Sequence, residues 1–111
     1  MSNGDEEARV FKALASTQRR RMLDFLKDRP NTTGAIAAAF PELDRTTVMQ
    51  HLRVLEEADL IVVRRQGRER WNHLNAMPIK QIHDRWIGDY ARHAVAMLAA
   101  LKEQVEGSSG D

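Results

Sequence analysis

The amino-acid sequence predicts a mostly α-helical fold with one small β-hairpin and a long helix at the C-terminus. Two amphipathic helices flank a turn at Pro41, residues 60–75 alternate around Gly67 as a hairpin does, and apolar residues recur at helical spacing over 78–106. With two earlier helices, this order is typical of a winged helix-turn-helix. We therefore expect a single domain over 1–111. Its expected parts are a core at 8–77, a wing at 60–75 within that core, a C-terminal dimerisation helix at 78–106 and a flexible tail at 107–111.

The first two predicted helices are amphipathic. The first spans 5–14 and places Val10, Phe11 and Leu14 on one side. The second follows a cap at Ser16 or Thr17 and ends near residues 29–31, where proline and asparagine interrupt it. We interpret the arginines at 19–21 as a solvated run, with a DNA backbone contact as the alternative. The inward residues of the second helix are Met22, Leu23, Phe25 and Leu26.

A turn that begins with proline joins the third and fourth predicted helices. The third spans 33–40 with Ile36, Ala37 and Phe40 inward, and Pro41 ends it because proline cannot continue the helical hydrogen bonds. Leu43 is the apolar plug of the turn. Asp44 can cap the next helix, since its carboxylate accepts hydrogen bonds from unpaired amides and complements the positive helix end. Two helices joined in this way place the second one in a DNA major groove.

The predicted fourth helix, residues 45–58, has one apolar and one polar face. Val48, Leu52 and Leu55 form the apolar stripe, and His51 at its border is interpreted as a packing residue. On the polar face, Gln50 can pair with adenine and Arg53 with guanine or phosphate, while Met49 can contact a thymine methyl. The candidate DNA-binding residues of this helix are Arg45, Thr46, Thr47, Met49, Gln50 and Arg53.

The predicted hairpin carries a cluster of arginines at its tip. Ile61 and Val63 alternate with polar or charged neighbours, residues 66–67 supply the tight turn, and Gly67 is expected to adopt a positive φ. Trp71 is expected to anchor the returning strand in the core. Arg64 and Arg65 alternate in direction, so one of them is a plain exposed strand residue. The candidate contacts of the wing are Arg65, Arg68 and Arg70, with Arg68 directed to a minor groove or a phosphate.

The long C-terminal helix has an apolar face too extensive for so small a domain to cover. We therefore expect a second copy of the chain to cover this face. The first helix is expected to form the dimer interface together with the C-terminal helix. Gly88 is its one weak point, and the alternative is that Trp86 and Tyr90 cap the domain's own core. The candidate dimer-interface residues are Val10, Phe11, Ile82, Trp86, Tyr90, Met97 and Leu101.

Composition and charge restrict the function further. The 111 residues carry a net charge of only +1, yet six arginines lie on the expected reading surface, so we expect salt-dependent binding with a log–log slope on the order of −6 for a dimer. There is no cysteine, so disulfides and thiolate metal sites are excluded. No apolar run is long enough to span a membrane and no signal peptide is evident, so we expect a cytoplasmic protein without a membrane partner.

Several linked segments resemble one known family, the ArsR-type winged-helix transcriptional repressors. The resemblance covers roughly residues 10–75 and follows the expected order of motifs. It implies a homodimeric, usually repressing regulator whose partner is double-stranded DNA. The segments that carry it are Ala13–Leu26, Thr46–Val48, His51–Leu55, Leu60–Ile61 and Arg64–Arg68.

Three alternatives to this reading stay open. Many members of the family sense metals, but this chain lacks their cysteines, and the spacing of His83, Asp84, Asp89 and His93 departs from their ligand pattern, so we expect surface ion pairs and neither metal nor cofactor. An effector of unknown identity could use the dimer groove. A winged helix can also serve as a protein-interaction module. An enzyme is not expected, because no catalytic constellation accompanies the four histidines.

Overall fold

The computed structural model describes residues 3–109, and its elements follow the predicted order of helices and hairpin. The chain forms two compact units that divide between Ile79 and Lys80. The sequence predicted an internal boundary two residues earlier, and the assignment of 1–111 to one domain stays a prediction. The helices are α1 (Asn3–Leu14), α2 (Thr17–Leu26), α3 (Thr33–Ala39), α4 (Arg45–Glu57), α5 (Met77–Ile82) and α6 (Gly88–Ser109), and the strands are β1 (Asn31–Thr32), β2 (Ile61–Gln66) and β3 (Glu69–Leu74).

The core of the first unit lies beneath α4. Its predicted apolar stripe of Val48, Leu52 and Leu55 is buried, as are Leu60 and Ile61 directly after the helix. Burying one such side chain stabilises the fold by about 1.5–3 kcal/mol, so this stripe holds α4 firmly against the remainder of the unit. The other buried apolar side chains of the first unit are Val10, Ala13, Met22, Leu23, Leu26, Ile36, Phe40 and Ala58.

Two aromatic residues are less buried than the sequence predicted. Phe25 is exposed and meets the Phe40 ring edge-on with centroids 6.3 Å apart. Trp71 is only half-buried. Its neighbour Asn72, which points to the opposite face of the strand, is the buried residue at 1% exposure. The core end of β3 is therefore anchored by an amide side chain rather than by tryptophan.

Side-chain caps fix the starts of three helices. Ser16 accepts the Arg19 N–H at 3.2 Å at the start of α2, and Asp44 accepts the Thr47 N–H at 2.7 Å at the start of α4, as predicted. This hydrogen bond lowers the pKa of the Asp44 carboxyl. Thr32 caps α3 by accepting the Ala35 N–H at 3.0 Å. The second helix ends at Leu26, three residues before the predicted interruption.

The C-terminal end of α4 forms a closed turn around Asp59. The Leu60 N–H bonds the Leu55 carbonyl at 2.9 Å and the Asp59 N–H bonds the Glu56 carbonyl at 3.0 Å, which is the Schellman arrangement. Asp59 has φ 59°, a conformation in which glycine is usually found. Leu60 and Leu55 are both fully buried, so an apolar contact accompanies the turn. This turn aims the chain from α4 directly into β2.

The wing belongs to a three-stranded antiparallel sheet rather than to a simple hairpin. The strand order is β1-β3-β2, and the sequence analysis missed β1, which is two residues long. Asn31 pairs with Asn72 and Thr32 with Trp71. The Asn72 amide also donates to the Asn31 carbonyl at 3.2 Å and to the Thr33 hydroxyl at 3.1 Å. The base of the wing is therefore bound to the start of α3.

The second unit is helical throughout the residues that the structure describes. A π-helical turn, His83–Ile87, separates α5 from α6, so the predicted single helix over 78–106 is interrupted directly before Gly88. The helix α6 continues to Ser109, three residues beyond the predicted end and into the segment predicted as a flexible tail. The last two residues of that predicted tail lie outside the described residues.

Candidate nucleic-acid interface

The outer face of α4 presents the predicted reading residues to solvent. Arg45, Thr46, Gln50 and Arg53 are exposed and Met49 is half-buried, while the buried stripe occupies the opposite side. At about 100° per residue, these five side chains fall within one sector of the helix. Thr47 lies outside that sector and is half-buried, and its backbone N–H is used in the Asp44 cap. The face offers amide, guanidinium and hydroxyl groups, the chemistry that reads base edges and phosphates.

The tip of the wing is a two-residue turn formed by Gly67 and Arg68. Gln66 pairs with Glu69, so the turn lies one residue later than the predicted 66–67. Gly67 has the predicted positive φ, at 62°, and Arg68 does not share it. A positive φ at the first central position alone is the pattern of a type II′ turn, which favours glycine there. Arg68 is thereby exposed at the outermost point of the wing.

The register of the hairpin decides which arginines share a face. Arg65 stands directly opposite Arg70, on the same face as the Val63–Asn72 pair, whereas Arg64 stands opposite Trp71 on the other face. The Arg65 and Arg70 face continues that of buried Ile61 and Asn72, which packs toward the core. Like charges placed directly opposite one another are destabilising in a sheet, so this pair favours the approach of an anion.

A cleft of about 440 Å³ lies between the start of α4 and the tip of the wing. Three arginines, Arg45, Arg68 and Arg70, line it against one carboxylate, that of Glu69. This excess of positive charge suits a polyanion. We call it the helix–wing cleft. Its lining residues are Thr32, Thr33, Gly34, Arg45, Thr46, Met49, Arg68, Glu69 and Arg70.

Arg70 is the least satisfied charged side chain of this surface. Its Nη2 lies 3.7 Å from Oε1 of Glu56, which is an ion-pair distance but too long for a hydrogen bond. Its Nε atom is buried without a hydrogen-bond partner among the residues that the structure describes. Glu56 and Arg70 also line a small cavity of about 40 Å³ beside Arg53. The sequence marked Arg70 as a DNA contact but gave no sign of Glu56 beside it.

The arginines at 19–21 differ in exposure. Arg20 and Arg21 are exposed, as predicted for a solvated run, whereas Arg19 is half-buried. Arg19 donates from Nε to the Ala13 carbonyl at 2.8 Å and from Nη2 to the Lys12 carbonyl at 2.9 Å. At the surface, Arg20 donates to the Leu14 carbonyl at 2.5 Å, and Arg21 donates to Glu42 at 3.0 Å and lies over the Phe40 ring. Arg19 alone of the three is therefore held within the packing of the helices.

Arg19 also reaches the recognition helix, our name for α4, through His51. The Arg19 Nη1 atom lies 3.2 Å from Nδ1 of His51. Partial burial, followed by the positive charge of Arg19, lowers the pKa of the His51 imidazole. His51 therefore remains neutral and can accept from the guanidinium. This agrees with its interpretation as a packing histidine, and it connects the end of α1 to the middle of α4.

The predicted dimer-interface residues differ in exposure. Val10 and Ile82 are 5% and 3% exposed within the single chain, so they can offer little surface to a partner, contrary to the prediction. Phe11, Trp86, Tyr90, Met97 and Leu101 are exposed, and their interface role stays a prediction. The Trp86 and Tyr90 rings pack edge to face with centroids 5.1 Å apart. Further exposed apolar residues of α6 are Val95, Leu98 and Val105.

Three of the four side chains considered as alternative metal ligands, His83, Asp84 and Asp89, interact with charged neighbours. Asp84 lies 2.5 Å from Lys80 Nζ and 3.3 Å from His83 Nδ1, and Asp89 pairs with Arg92. The hydrogen bonds from Lys80 and His83 lower the pKa of Asp84. Within residues 3–109, no three histidine, aspartate or glutamate side chains come together as a metal site. Nor is any described helix long and apolar enough to cross a membrane.

The amino-acid sequence of this chain is similar to those of known helix-turn-helix transcriptional regulators. Residues 8–64 match the family model described as a helix-turn-helix domain. The chain is 34% identical over 91 residues to YuzN of Bacillus subtilis (strain 168), an uncharacterized HTH-type transcriptional regulator, covering 77% of this chain and 98% of that protein. It is 36% identical over 66 residues to the transcriptional repressor SdpR of the same organism, covering 60% of this chain and 72% of that protein.

Solved structures show the same architecture. A crystal structure of an ArsR family transcriptional regulator is similar with a TM-score of 0.73 and 25% identity, covering 82% of this chain and 92% of that one. A homodimeric winged helix-turn-helix DNA-binding domain from Mycobacterium bovis is similar with a TM-score of 0.61 and 27% identity, covering 96% and 92%.

The fold and its exposed reading helix thus define a winged helix-turn-helix transcriptional regulator. This chain belongs to the ArsR family of these regulators, as the resemblance in its sequence predicted.

Proposed function

We propose that this protein is a homodimeric transcriptional repressor that binds a pseudo-palindromic DNA operator in the cytoplasm. The observation that carries the proposal is the joint position of the reading face of α4 and the arginines of the wing on the two sides of the helix–wing cleft. A recognition helix of this kind inserts into a major groove while the wing contacts the flanking backbone or minor groove. The repressing role is supported by the similarity to SdpR, a transcriptional repressor.

The proposed roles of the helix residues follow from their chemistry. Gln50 reads adenine through its amide, which can donate one hydrogen bond and accept another. Arg53 contacts guanine or a phosphate, and Met49 packs against a thymine methyl. Arg45, Thr46 and Thr47 lie in the first turn of α4, where they hold the DNA backbone. Since Thr47 is half-buried and lies off the reading sector, it makes the smallest contribution of these three.

In the wing, Arg68 contacts the minor groove or a phosphate from the exposed turn. Arg65 and Arg70 contribute positive charge beside the cleft. Phosphate contacts position the protein on any duplex, whereas base contacts select the operator. The wing thus supplies affinity and α4 supplies specificity.

The proposed dimer uses the exposed apolar residues of the second unit. Tyr90, Met97 and Leu101 recur at spacings of seven and four along α6, which places them on one stripe of the helix. A stripe of exposed large apolar side chains is typical of a protein interface, and a second copy of the chain covers it most simply. The homodimeric Mycobacterium bovis domain supports this arrangement. The two recognition helices then enter successive major grooves about one helical turn apart.

Selection of random duplex DNA by the purified protein at moderate salt tests this proposal. The retained pool, once sequenced, should contain a two-fold symmetric motif, because a symmetric dimer presents two identical reading helices. A single asymmetric half-site would contradict the dimeric arrangement. No enrichment in any sequence would contradict a DNA-binding function for the chain alone, and would favour a regulator that requires an effector or a protein-interaction module.

A further inference from the structure

We propose that Arg70 exchanges partners when DNA binds: it leaves Glu56 and takes a phosphodiester of the DNA backbone seated in the helix–wing cleft. This inference rests on the DNA-binding function proposed above. The chemical group bound in the cleft is a phosphodiester, and the Glu56 carboxylate competes with it for Arg70. Glu56 then acts as an internal substitute for the phosphate, and it lowers the affinity of the free protein for every duplex.

The first observation is the unsatisfied state of Arg70. A guanidinium has five N–H donors in a planar fork that matches two oxygens of a carboxylate or phosphate. Here its Nη2 approaches Glu56 only to 3.7 Å, and its buried Nε donates to none of the described residues. A buried donor without a partner costs free energy, so the side chain gains by meeting a better acceptor.

The second observation is the concentration of positive charge around it. Arg65 faces Arg70 directly across the two strands, and Arg45 and Arg68 line the same cleft as Arg70. Such a cluster repels itself, and the two carboxylates beside it, Glu69 in the cleft and Glu56 at 3.7 Å from Arg70, compensate for it only in part. An anion with several oxygens would relieve the repulsion among these guanidinium groups.

The position of the cleft identifies the anion as DNA backbone. A helix in the major groove and a wing tip at the adjacent minor groove have one strand of the duplex between them, and the part of that strand facing the protein is its sugar-phosphate chain. The cleft occupies this position between α4 and the wing. The Thr32 hydroxyl, which lines the cleft, accepts a hydrogen bond from the Ala35 N–H and can still donate its own hydrogen to a phosphate oxygen.

The third observation is the placement of Glu56. It lies on α4 three residues after Arg53, on the exposed side of the helix, and it lines the small cavity together with Arg70. The carboxylate therefore holds Arg70 from the protein side of the cleft, and a phosphate would approach from the opening. Because phosphates are alike in every sequence, competition by Glu56 should affect all duplexes equally.

The test compares two neighbouring charge removals, Glu56→Gln and Glu57→Gln. Affinity is measured by fluorescence anisotropy for the selected operator and for a scrambled duplex of equal length. Glu56→Gln should tighten both by roughly two- to five-fold, the equivalent of one weak exposed ion pair in each subunit of the dimer. Glu57 is also exposed on α4 but forms no ion pair with Arg70 in the described part of the chain, so Glu57→Gln should produce a clearly smaller change.

Arg70→Gln should weaken both duplexes and reduce the log–log salt slope of the dimer by about two, because one phosphate contact is lost in each subunit. In that background Glu56→Gln should have no further effect, because its benefit acts through Arg70. The conservative Arg70→Lys change keeps the charge but not the fork, so it should recover the salt slope and only part of the affinity. Far-UV circular dichroism confirms that each variant is folded.

Three results would overturn the inference while leaving the proposed function intact. One is an equal gain for Glu56→Gln and Glu57→Gln, and another is a gain for Glu56→Gln that persists with Arg70→Gln. The third would indicate a site for free phosphate rather than for DNA. In that case inorganic phosphate at constant ionic strength would raise the melting temperature only when Arg70 is present, and Glu56→Gln would leave the affinity for both duplexes unchanged. If the unaltered protein binds neither duplex, the proposed function itself fails.

Discussion

The backbone carbonyl oxygen of His83 lies too close to Gly88 to leave room for a Cβ atom at that position. It accepts the Gly88 N–H across the π-helical turn, and a Cβ built on Gly88 would lie 2.9 Å from it. Real Cβ atoms essentially never come so close to a backbone oxygen. The glycine that weakens the helical pattern of the sequence is therefore the residue that lets the π-helical turn close.

Gly88→Ala should destabilise the protein by about 1 kcal/mol, because the strain of overpacking exceeds the gain in helix propensity. Urea unfolding at a fixed protein concentration measures the change. The matched control is Gly107→Ala, also in α6, where an added Cβ meets nothing within 4 Å. That control should be neutral or slightly stabilising. Equal effects of the two substitutions would show that the His83 carbonyl does not restrict position 88.

Asp59→Gly should stabilise the protein by about 0.5–1 kcal/mol. Asp59 holds φ 59° in the turn after α4, and glycine adopts that conformation without the steric cost that a Cβ brings. The Asn75 amide bonds the Asp59 carbonyl, a backbone group that the substitution retains. Asp59→Ala is the control and should not stabilise, since alanine keeps the Cβ. A gain from both variants would assign the effect to the lost charge instead.

The stability of the fold should fall as the pH drops below about 6.5, partly through His51. Its pKa is lowered in the folded protein, so below the unfolded value of 6.5 the unfolded chain binds more protons than the folded one. The contribution is fully present above that pH and is lost as the pH falls toward the folded pKa. The carboxyls with lowered pKa, such as Asp44, act only in a more acidic range.

Unfolding free energies at pH 7.5 and 5.5 measure this dependence. His51→Gln should flatten it, because the substitute amide does not titrate. If His51→Gln keeps the slope of the unaltered protein, another group controls it.

Gln50→Ala should relax base preference, while Arg68→Ala should weaken binding to all sequences alike. The amide of Gln50 lies on the reading face of α4, and Arg68 lies exposed at the wing turn, where we propose a contact with the minor groove or a phosphate. The expected loss is about 1–3 kcal/mol of discrimination for the first change. For the second, the salt slope of the dimer should fall by about two, one contact for each subunit. Anisotropy titrations against the operator and its single-base variants separate the two, and unaltered affinity in both would refute the assigned face.

Trp86→Glu should convert the dimer to monomers in sedimentation velocity experiments. The exposed indole lies beside Tyr90, and a carboxylate placed at an apolar interface would be buried without a partner. Ala99→Glu, on the opposite side of α6 from Met97 and Leu101, is the control and should leave the mass unchanged. An undiminished mass for Trp86→Glu would refute the interface role of this residue.

The sequence predicted those parts of the fold that depend on local patterns. The stripe of Val48, Leu52 and Leu55 and the cap at Asp44 follow from residue spacing within a few positions, and both were confirmed. The positive φ of Gly67 was predictable because a tight hairpin turn requires it. The order of the first four helices and the hairpin followed from the same local patterns, while the class of regulator followed from the family resemblance.

The features that the sequence did not reveal depend on distant residues. Arg19 meets His51, 32 positions away, and no local pattern distinguishes this arginine from Arg20 and Arg21 beside it. The strand β1 is only two residues long and exists because Asn72 and Trp71 pair with it. Likewise, the contact of Glu56 with Arg70 arises from the angle at which the wing meets α4, which side-chain periodicity does not encode.

The tip of the wing is less buried than its base, and this difference affects how such a protein can diverge. Toward the base, Ile61 and Asn72 are buried, and Asn72 is bound to the start of α3, whereas Gln66 and Glu69 at the tip are exposed. Substitutions of exposed tip residues therefore cost little folding free energy, while those of buried residues cost much. Gly67 is the exception at the tip, because its positive φ restricts substitution. The other residues of 64–69 can change with little loss of stability, so the affinity of the proposed DNA contact can be altered in this segment without a cost to the fold.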